Sequence, residues 1–358
     1  MKQAQSLRNR ITCFSFLLTV LVIYVHAQNL DLQNEAGAAV RNAAGSAAAL
    51  VSISGSLAKA EALLSTVLGS AAVPGFFLLS AFQFFRGMNR ANAFFHALLP
   101  KWTRRLKTLV LPYFLWNAIY YLLYVLMQRA PLDAGSLAAA LFCYRYNPVF
   151  WYMQQLILLT LLTPLVWLLG HKRKFSLLFC CASFFLAAHY RILPFHLVNE
   201  DAFFYYVCGA LLSMHAPKLM EEEGGHAQRI AACAAGSLAL IAACFLEPLW
   251  YQKGLLYPLL LFRISVPLFL FFFLSSFSLP RKKTLPEFVQ ISFFIYAVHF
   301  LLVRAMNRTL LRLFPDNAVL LFSAYLLMPV FCIAGAYAIS LFLRHFLPRF
   351  YKLLTGGR

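Results

Sequence analysis

The stretch ITCFSFLLTVLVIYVHAQN, residues 11–29, admits two incompatible readings. It follows a basic N-terminus carrying Lys2, Arg8 and Arg10, and Val25-His26-Ala27 has the small-x-small look of a signal-peptidase site. Cleavage there would discard the first apolar segment together with its histidine. Alternatively, the segment is a retained membrane helix with a titratable group, His26, at its outer end. The choice fixes how many helices the bundle has and whether it holds a candidate base.

The rest of the chain favours retention. Of its 358 residues, 62% are hydrophobic and only 12% charged, against about 25% charged in soluble domains. That composition describes an all-α polytopic membrane protein. The net charge of +19 raises the question of nucleic acid, but no binding module is recognisable and the basic residues cluster between apolar runs. Spanning the hydrocarbon takes about 20 residues, and about ten runs qualify. They lie near 11–27, 66–85, 108–127, 149–169, 175–190, 202–215, 229–246, 254–277, 288–304 and 318–343.

With a cytoplasmic N-terminus, the inner connections carry Arg86, Arg90, Lys101, Arg104, Arg105 and Lys107, then HKRK at 171–174, Lys218, Arg229 and RKK at 281–283. The tail, 344–358, adds Arg344, Arg349, Lys352 and Arg358. The outer connections hold far fewer basic residues. This asymmetry predicts an even number of spans, both termini cytoplasmic and the first segment kept, in a single integral-membrane domain over 1–358 of the cell (inner or plasma) membrane. Residues 28–65 form an outer loop rich in Ala, Ser and Gly, read as a surface helix, a lid over an outward-facing site, or a solvated spacer. The eight cysteines show no CxxC or paired spacing and read as small apolar fillers, so no metal is expected.

Ionisable groups inside a bilayer are costly and each is a functional hypothesis. His26, His189 with Arg191, Arg263 and His299 are such groups. A histidine titrating near neutrality takes a proton from a hydroxyl and later returns it, whereas a helix-end histidine bonded to a carbonyl is the plainer reading at equal weight. Arg263 cannot neutralise itself. The scarcity of acids in the apolar runs favours a ligand or a wet cavity over an ion pair for it. In KWTRRLKTLVLPYFLWN, 101–117, Lys101, Arg104, Arg105 and Lys107 precede an entering helix and suit phosphate groups or, equally, lipid headgroups. No Walker loop, dinucleotide fingerprint, metal-ligand set or nucleophile elbow is present.

Six segments in order resemble the acyltransferase 3 family of integral-membrane acyltransferases. They are the first helix ending in His26, VPGFFLLSAFQFFRG at 73–87, RRLKTLVLPYFLWN at 104–117, NPVFWYMQQLILLTLLTPLVW at 147–167, DAFFYYVCGALLS at 201–213 and SFFIYAVHFLL at 292–302. The resemblance implies an O-acyltransferase moving acetyl, or another short acyl, from cytoplasmic acyl-CoA to a hydroxyl of a cell-surface or lipid-linked glycan. By the same resemblance His26 matches the family's essential helix-1 histidine, as base or as acyl carrier. Arg104, Arg105 and Lys107 match its coenzyme-associated basic motif, and His299 its late histidine. Arg263 enters as oxyanion stabiliser or acceptor contact through its intramembrane charge alone.

The chain departs from the family's pattern at three positions. Ser15 stands where the family usually has arginine, Lys107 where the basic motif has its second arginine, and Ala81 where glycine is common. Arg10 lies about 24 Å along the helix from His26 and is not expected to replace the missing arginine. A non-enzymatic glycan or lipid exporter or flippase is the rival reading, although no internal repeat or matched pair of broken helices supports it. A degenerate member serving as a subunit or sensor is a third. Membrane lipids are expected partners, nucleic acid is not, and a homo-oligomer stays open.

Overall fold

Hydrocarbon offers the backbone no hydrogen-bonding partner, so apolar runs of this length fold as helices. In the computed structural model, residues 2–30, 48–88, 91–189, 198–221, 256–276, 285–315 and 317–357 are described, with isolated positions 231, 234, 236 and 246. Among the described residues all regular structure is helical. The helices are α1 (Lys2–Ala27), α2 (Ala48–Ala62), α3 (Ala72–Phe85), α4 (Ala91–Arg105), α5 (Leu111–Leu126), α6 (Ala134–Cys143), α7 (Trp151–Leu161), α8 (Thr163–Gly170) and α9 (Arg173–Ala188). After these come α10 (Glu200–His215), α11 (Lys218–Glu221), α12 (Leu256–Ser276), α13 (Glu287–Gln290), α14 (Ser292–Leu313), α15 (Ala318–Phe346) and α16 (Pro348–Thr355).

Five continuous stretches among the described residues are long and apolar enough to cross a membrane: Gln5–Ala27, Gly55–Phe85, Phe94–Leu126, Leu256–Ser275 and Ala318–Phe346. The pair Pro148–Leu161 and Thr163–Gly170, bent by 58°, makes a sixth. The runs at 175–190 and 202–215 fold as α9 and α10, of 16 residues each. At 1.5 Å per residue each is about 24 Å long, short of about 30 Å of hydrocarbon. The run at 288–304 becomes α14, whose far end carries Arg304, Arg308 and Arg312. The run at 229–246 lies, apart from isolated positions, outside the described residues, as do 31–47 of the expected loop. The end of that loop is not a spacer: α2 continues through the turns Leu63–Leu68 and Gly69–Ala71 into α3.

Helix ends follow local chemistry. Asp133 accepts from Ser136 N at 2.7 Å, Asn199 from Ala202 N at 2.9 Å and Asn317 from Leu320 N at 3.0 Å, each capping the helix that follows. Pro112 lacks an N–H and its ring crowds the carbonyl four residues back. The chain answers with a widened turn at Leu106–Val110. Against that turn α16 ends at Gly356, with φ +64°. Gly356 N donates to Leu353 O (3.2 Å) and Gly357 N to Lys352 O (2.8 Å), and a Cβ at 356 would meet Thr108 Cα at 2.5 Å.

Helix α1 is the centre of the bundle, packed on α3, α12, α14 and α15. Its Phe14, Leu18, Val22 and Ile23 are all buried. Helix α12 runs antiparallel to it: Arg10 Nη1 donates to Ser275 Oγ at 3.3 Å and Phe14 meets Phe271 edge-on at 5.4 Å. Helix α14 runs alongside α1 in the same direction. Helix α10 approaches α3 closely at Gly209, which lies on the backbone of Leu78, where a Cβ would collide with it.

Candidate active site

The basic cluster is placed by a proline. Pro164 cannot donate to the carbonyl of Thr160, four residues earlier, so α7 breaks into α8. That carbonyl accepts instead from Thr163 Oγ1 at 2.7 Å and from Trp102 Nε1 at 3.0 Å. Trp102 belongs to α4, and the bond sets the face on which its neighbours Lys101, Arg104 and Arg105 stand. Lys101 Nζ donates to Phe84 O and, at 2.8 Å, to Arg86 O, holding the last carbonyls of α3. Arg105 Nη2 donates to Ser80 O (3.2 Å) and Ser80 Oγ (2.9 Å). Both cations lie over the Phe84 ring, at 5.6 and 5.9 Å.

These three basic residues line a cavity of about 440 Å³. Helix α1 contributes Ile11, Thr12, Ser15 and Thr19, one face at helical spacing. Ser80, Gln83 and Phe84 of α3, Tyr152 of α7, Gln290 at the end of α13, and Ser292 and Tyr296 at the start of α14 complete its polar and aromatic wall. Lys107 is exposed on the widened turn and is not part of the wall. Ser15 is part of it, at the position where the resemblance would put an arginine. Arg10 points elsewhere, donating to Glu221 O at 2.8 Å.

Beyond the cavity the same two helices carry the histidines. His299 is one turn past Tyr296 and His26 two turns past Thr19, and their ring centroids are 5.5 Å apart. His299 is fully buried, with Nδ1 2.6 Å from Tyr296 O. A carbonyl only accepts, so the proton sits on Nδ1 and the Nε2 lone pair is left free, with no hydrogen-bond partner among the described residues. His26 is half-buried and meets Phe300 edge-on at 5.5 Å. Neither histidine lines the cavity. Tyr296 stands between, its ring 5.8 Å from His299 and its hydroxyl donating to Val149 O at 2.6 Å.

Arg263 is not brought into this arrangement. It has an acid after all, Asp201 at 3.8 Å, against the expectation from the scarcity of intramembrane acids. That carboxylate stands in the first turn of α10, two residues past the cap Asn199. The register of α12 on α1 puts Arg263 opposite about residue 22, some 6 Å along the axis from His26. Among the described residues no group of three or more His, Cys, Asp or Glu is placed to hold a metal.

Sequence reasoning singled out the cations and histidines but not Ser80, Tyr152, Gln83 or Gln290. Ser80, Gln83 and Tyr152 do lie inside the resembling segments 73–87 and 147–167, and the period of α3 sets Ser80 and Gln83 on the side of Phe84. No curated protein and no solved structure matches the chain. The family model described as an acyltransferase domain, the acyltransferase 3 model, matches residues 9–350. A cation-lined cavity beside a histidine pair in an all-helical membrane bundle thus coincides with a match over nearly the whole length: the chain belongs to the acyltransferase 3 family and is a multi-pass membrane acyltransferase.

Proposed function

We propose that the protein is an O-acyltransferase of the cell membrane, with both termini cytoplasmic. It moves acetyl, or another short acyl group, from cytoplasmic acyl-CoA to a hydroxyl of a cell-surface or lipid-linked glycan. The observation that carries this reading is that α1 and α14 each line the cation-bearing cavity and then, on the same helices, hold His26 and His299 5.5 Å apart.

Arg105, Arg104 and Lys101 hold the phosphates of the donor, and the acyl-bearing arm runs along the Ser15–Thr19 face toward the histidines. For the thioester to reach them, Tyr296 has to move aside or let the arm pass. His26 takes the proton from the acceptor hydroxyl as its oxygen attacks the thioester carbonyl. The new C–O bond forms, the C–S bond breaks, and His26 returns the proton to the leaving thiolate. His299, with its Nδ1 proton directed to Tyr296 O, offers its Nε2 lone pair as an acceptor beside His26. Arg263, paired with Asp201 away from the cavity, reaches the reacting carbonyl or the acceptor only if the bound acceptor draws it from that carboxylate.

The test compares acylation of envelope glycans in cells producing wild-type protein or His26→Ala at equal membrane abundance. Loss of about 10²-fold or more is expected for removal of a general base. Undiminished acylation sinks the assignment, and lost glycan export with normal acylation favours a transporter instead.

A further inference from the structure

The backbone that leaves His26 is tied to three other elements, and the mechanism above uses none of these ties. A helix ends with carbonyls that have no partner, and a left-handed glycine usually resolves them. After His26 the sequence runs Ala-Gln-Asn-Leu, with no glycine. Side chains do the work instead. Asn307 Nδ2 donates to Ala27 O at 3.1 Å and to Gln28 O at 3.2 Å. Glu61 Oε2 accepts from Asn29 N at 3.2 Å and Leu30 N at 3.3 Å. Asn29 Nδ2 donates to Leu321 O at 3.1 Å.

Asn29, Glu61 and Asn307 are all buried. A carboxylate held away from water is costly, and an apolar contact would close the same gap more cheaply. What the polar version adds is direction: four backbone groups on consecutive residues are fixed at once. Asn307 is also two turns beyond His299 on α14, so the helix that carries one histidine grips the backbone next to the other. Glu61 comes from the last turn of α2, which gives the end of the Ala-rich segment a task.

We propose that Asn307 and Glu61 are positioning residues that hold the end of α1 so that His26 keeps its place opposite His299. This rests on His26 being the base. A misplacement of about 1 Å at such a group costs about 10²-fold in rate, while donor binding, made in the separate cavity, is untouched.

The experiment uses the full chain in lipid nanodiscs with acetyl-CoA as the donor probe, reading thiol release alongside glycan acylation in cells at equal abundance. Glu61→Ala and Asn307→Ala are expected to lower kcat by about 10- to 100-fold with donor KM within about twofold. Glu61→Gln keeps an accepting oxygen and is expected to recover most of kcat. Equal loss in Glu61→Gln and Glu61→Ala would assign the effect to charge and overturn the clamp. Wild-type kcat in Glu61→Ala and Asn307→Ala beside an inactive His26→Ala would also overturn it while leaving the base intact. An active His26→Ala would fail the base reading instead. Where Glu61→Ala lowers abundance, Asn307→Ala and the rate of His26 carbethoxylation, read by mass spectrometry, carry the same test: an unchanged rate refutes the clamp.

Discussion

Replacing the basic residues one at a time separates the cavity from the linear motif. The motif by resemblance pairs Arg104 with Lys107, whereas the wall of the cavity holds Lys101, Arg104 and Arg105 and leaves Lys107 outside. Hydrogen bonds to charged groups contribute about 1.5–3 kcal/mol each, which at about 1.4 kcal/mol per tenfold is about 10- to 150-fold in affinity. Arg105 already gives Nη2 to Ser80, so its remaining N–H groups put Arg105→Ala toward the lower end, with donor KM raised about 10- to 30-fold. Arg104 is exposed; an exposed ionic contact of about 0.2–1 kcal/mol gives about 1.4- to 5-fold for Arg104→Ala. Lys107→Ala is expected to change KM by less than about twofold. Because these contacts bind ground and transition states alike, kcat stays close to wild type. Arg105→Lys keeps the charge but loses the planar fork and falls between. The assay is thiol release from acetyl-CoA by the full chain in nanodiscs over a donor titration, repeated at low and physiological salt, with KM rising as salt screens the cluster. A Lys107→Ala effect as large as that of Arg105→Ala, or an unchanged KM in Arg105→Ala, would refute the placement of the donor in this cavity.

Two further outcomes follow from the fold. Gly209→Val drives a side chain into the Leu78 backbone and is expected to destabilise by about 1–3 kcal/mol or more, read as a lower Tm of the purified protein; an unchanged Tm would mean that α10 does not sit on α3 so closely. The Asp133 carboxylate, bonded by Ser136 N and Oγ, is held below its ordinary value of 3.8. Its contribution is therefore fully present above that value and lost as pH falls through the lower folded one, so protection of the Ser136 amide, taken relative to its intrinsic exchange rate, falls below pH 3.8. Asp133→Asn, a cap that does not titrate there, is expected to abolish this pH dependence of the protection, and its persistence in that variant would refute the cap.

What the sequence made legible was decided by how local each signal is. Helical class and membrane character come from runs of apolar residues and needed no tertiary information. Counting spans was harder, because 16 apolar residues read as a crossing until the length of α9 and α10 is set against the bilayer. His26 and His299 are 273 residues apart, and no periodicity joins them; the resemblance named both, and the geometry shows them as neighbours. Glu61 was illegible for the opposite reason. It sits in an alanine-rich stretch that looks like spacer, and its partners are backbone groups of Asn29 and Leu30, which no side-chain pattern advertises.

Position 15 of α1 puts a serine into the cavity wall. An arginine there would stand on the cavity face of α1, between the cations of α4 and the histidines. With serine, the positive charge in the wall comes from one side only, from Lys101, Arg104 and Arg105. Arg10 is five residues away, but its guanidinium donates to Glu221 O and Ser275 Oγ on the far side of α1, so it supplies no substitute. The phosphates of a donor would accordingly be drawn toward α4 and away from α1, which leaves the Ser15–Thr19 face free for an uncharged arm. Thr19 reinforces that face: its hydroxyl donates to Ser15 O at 2.8 Å, so it is turned back onto its own helix and presents mostly its methyl group. A helix with no charge between its cavity face and His26 suits passage of a neutral thioester. An arginine restored at Ser15 would instead hold an anion partway along that path.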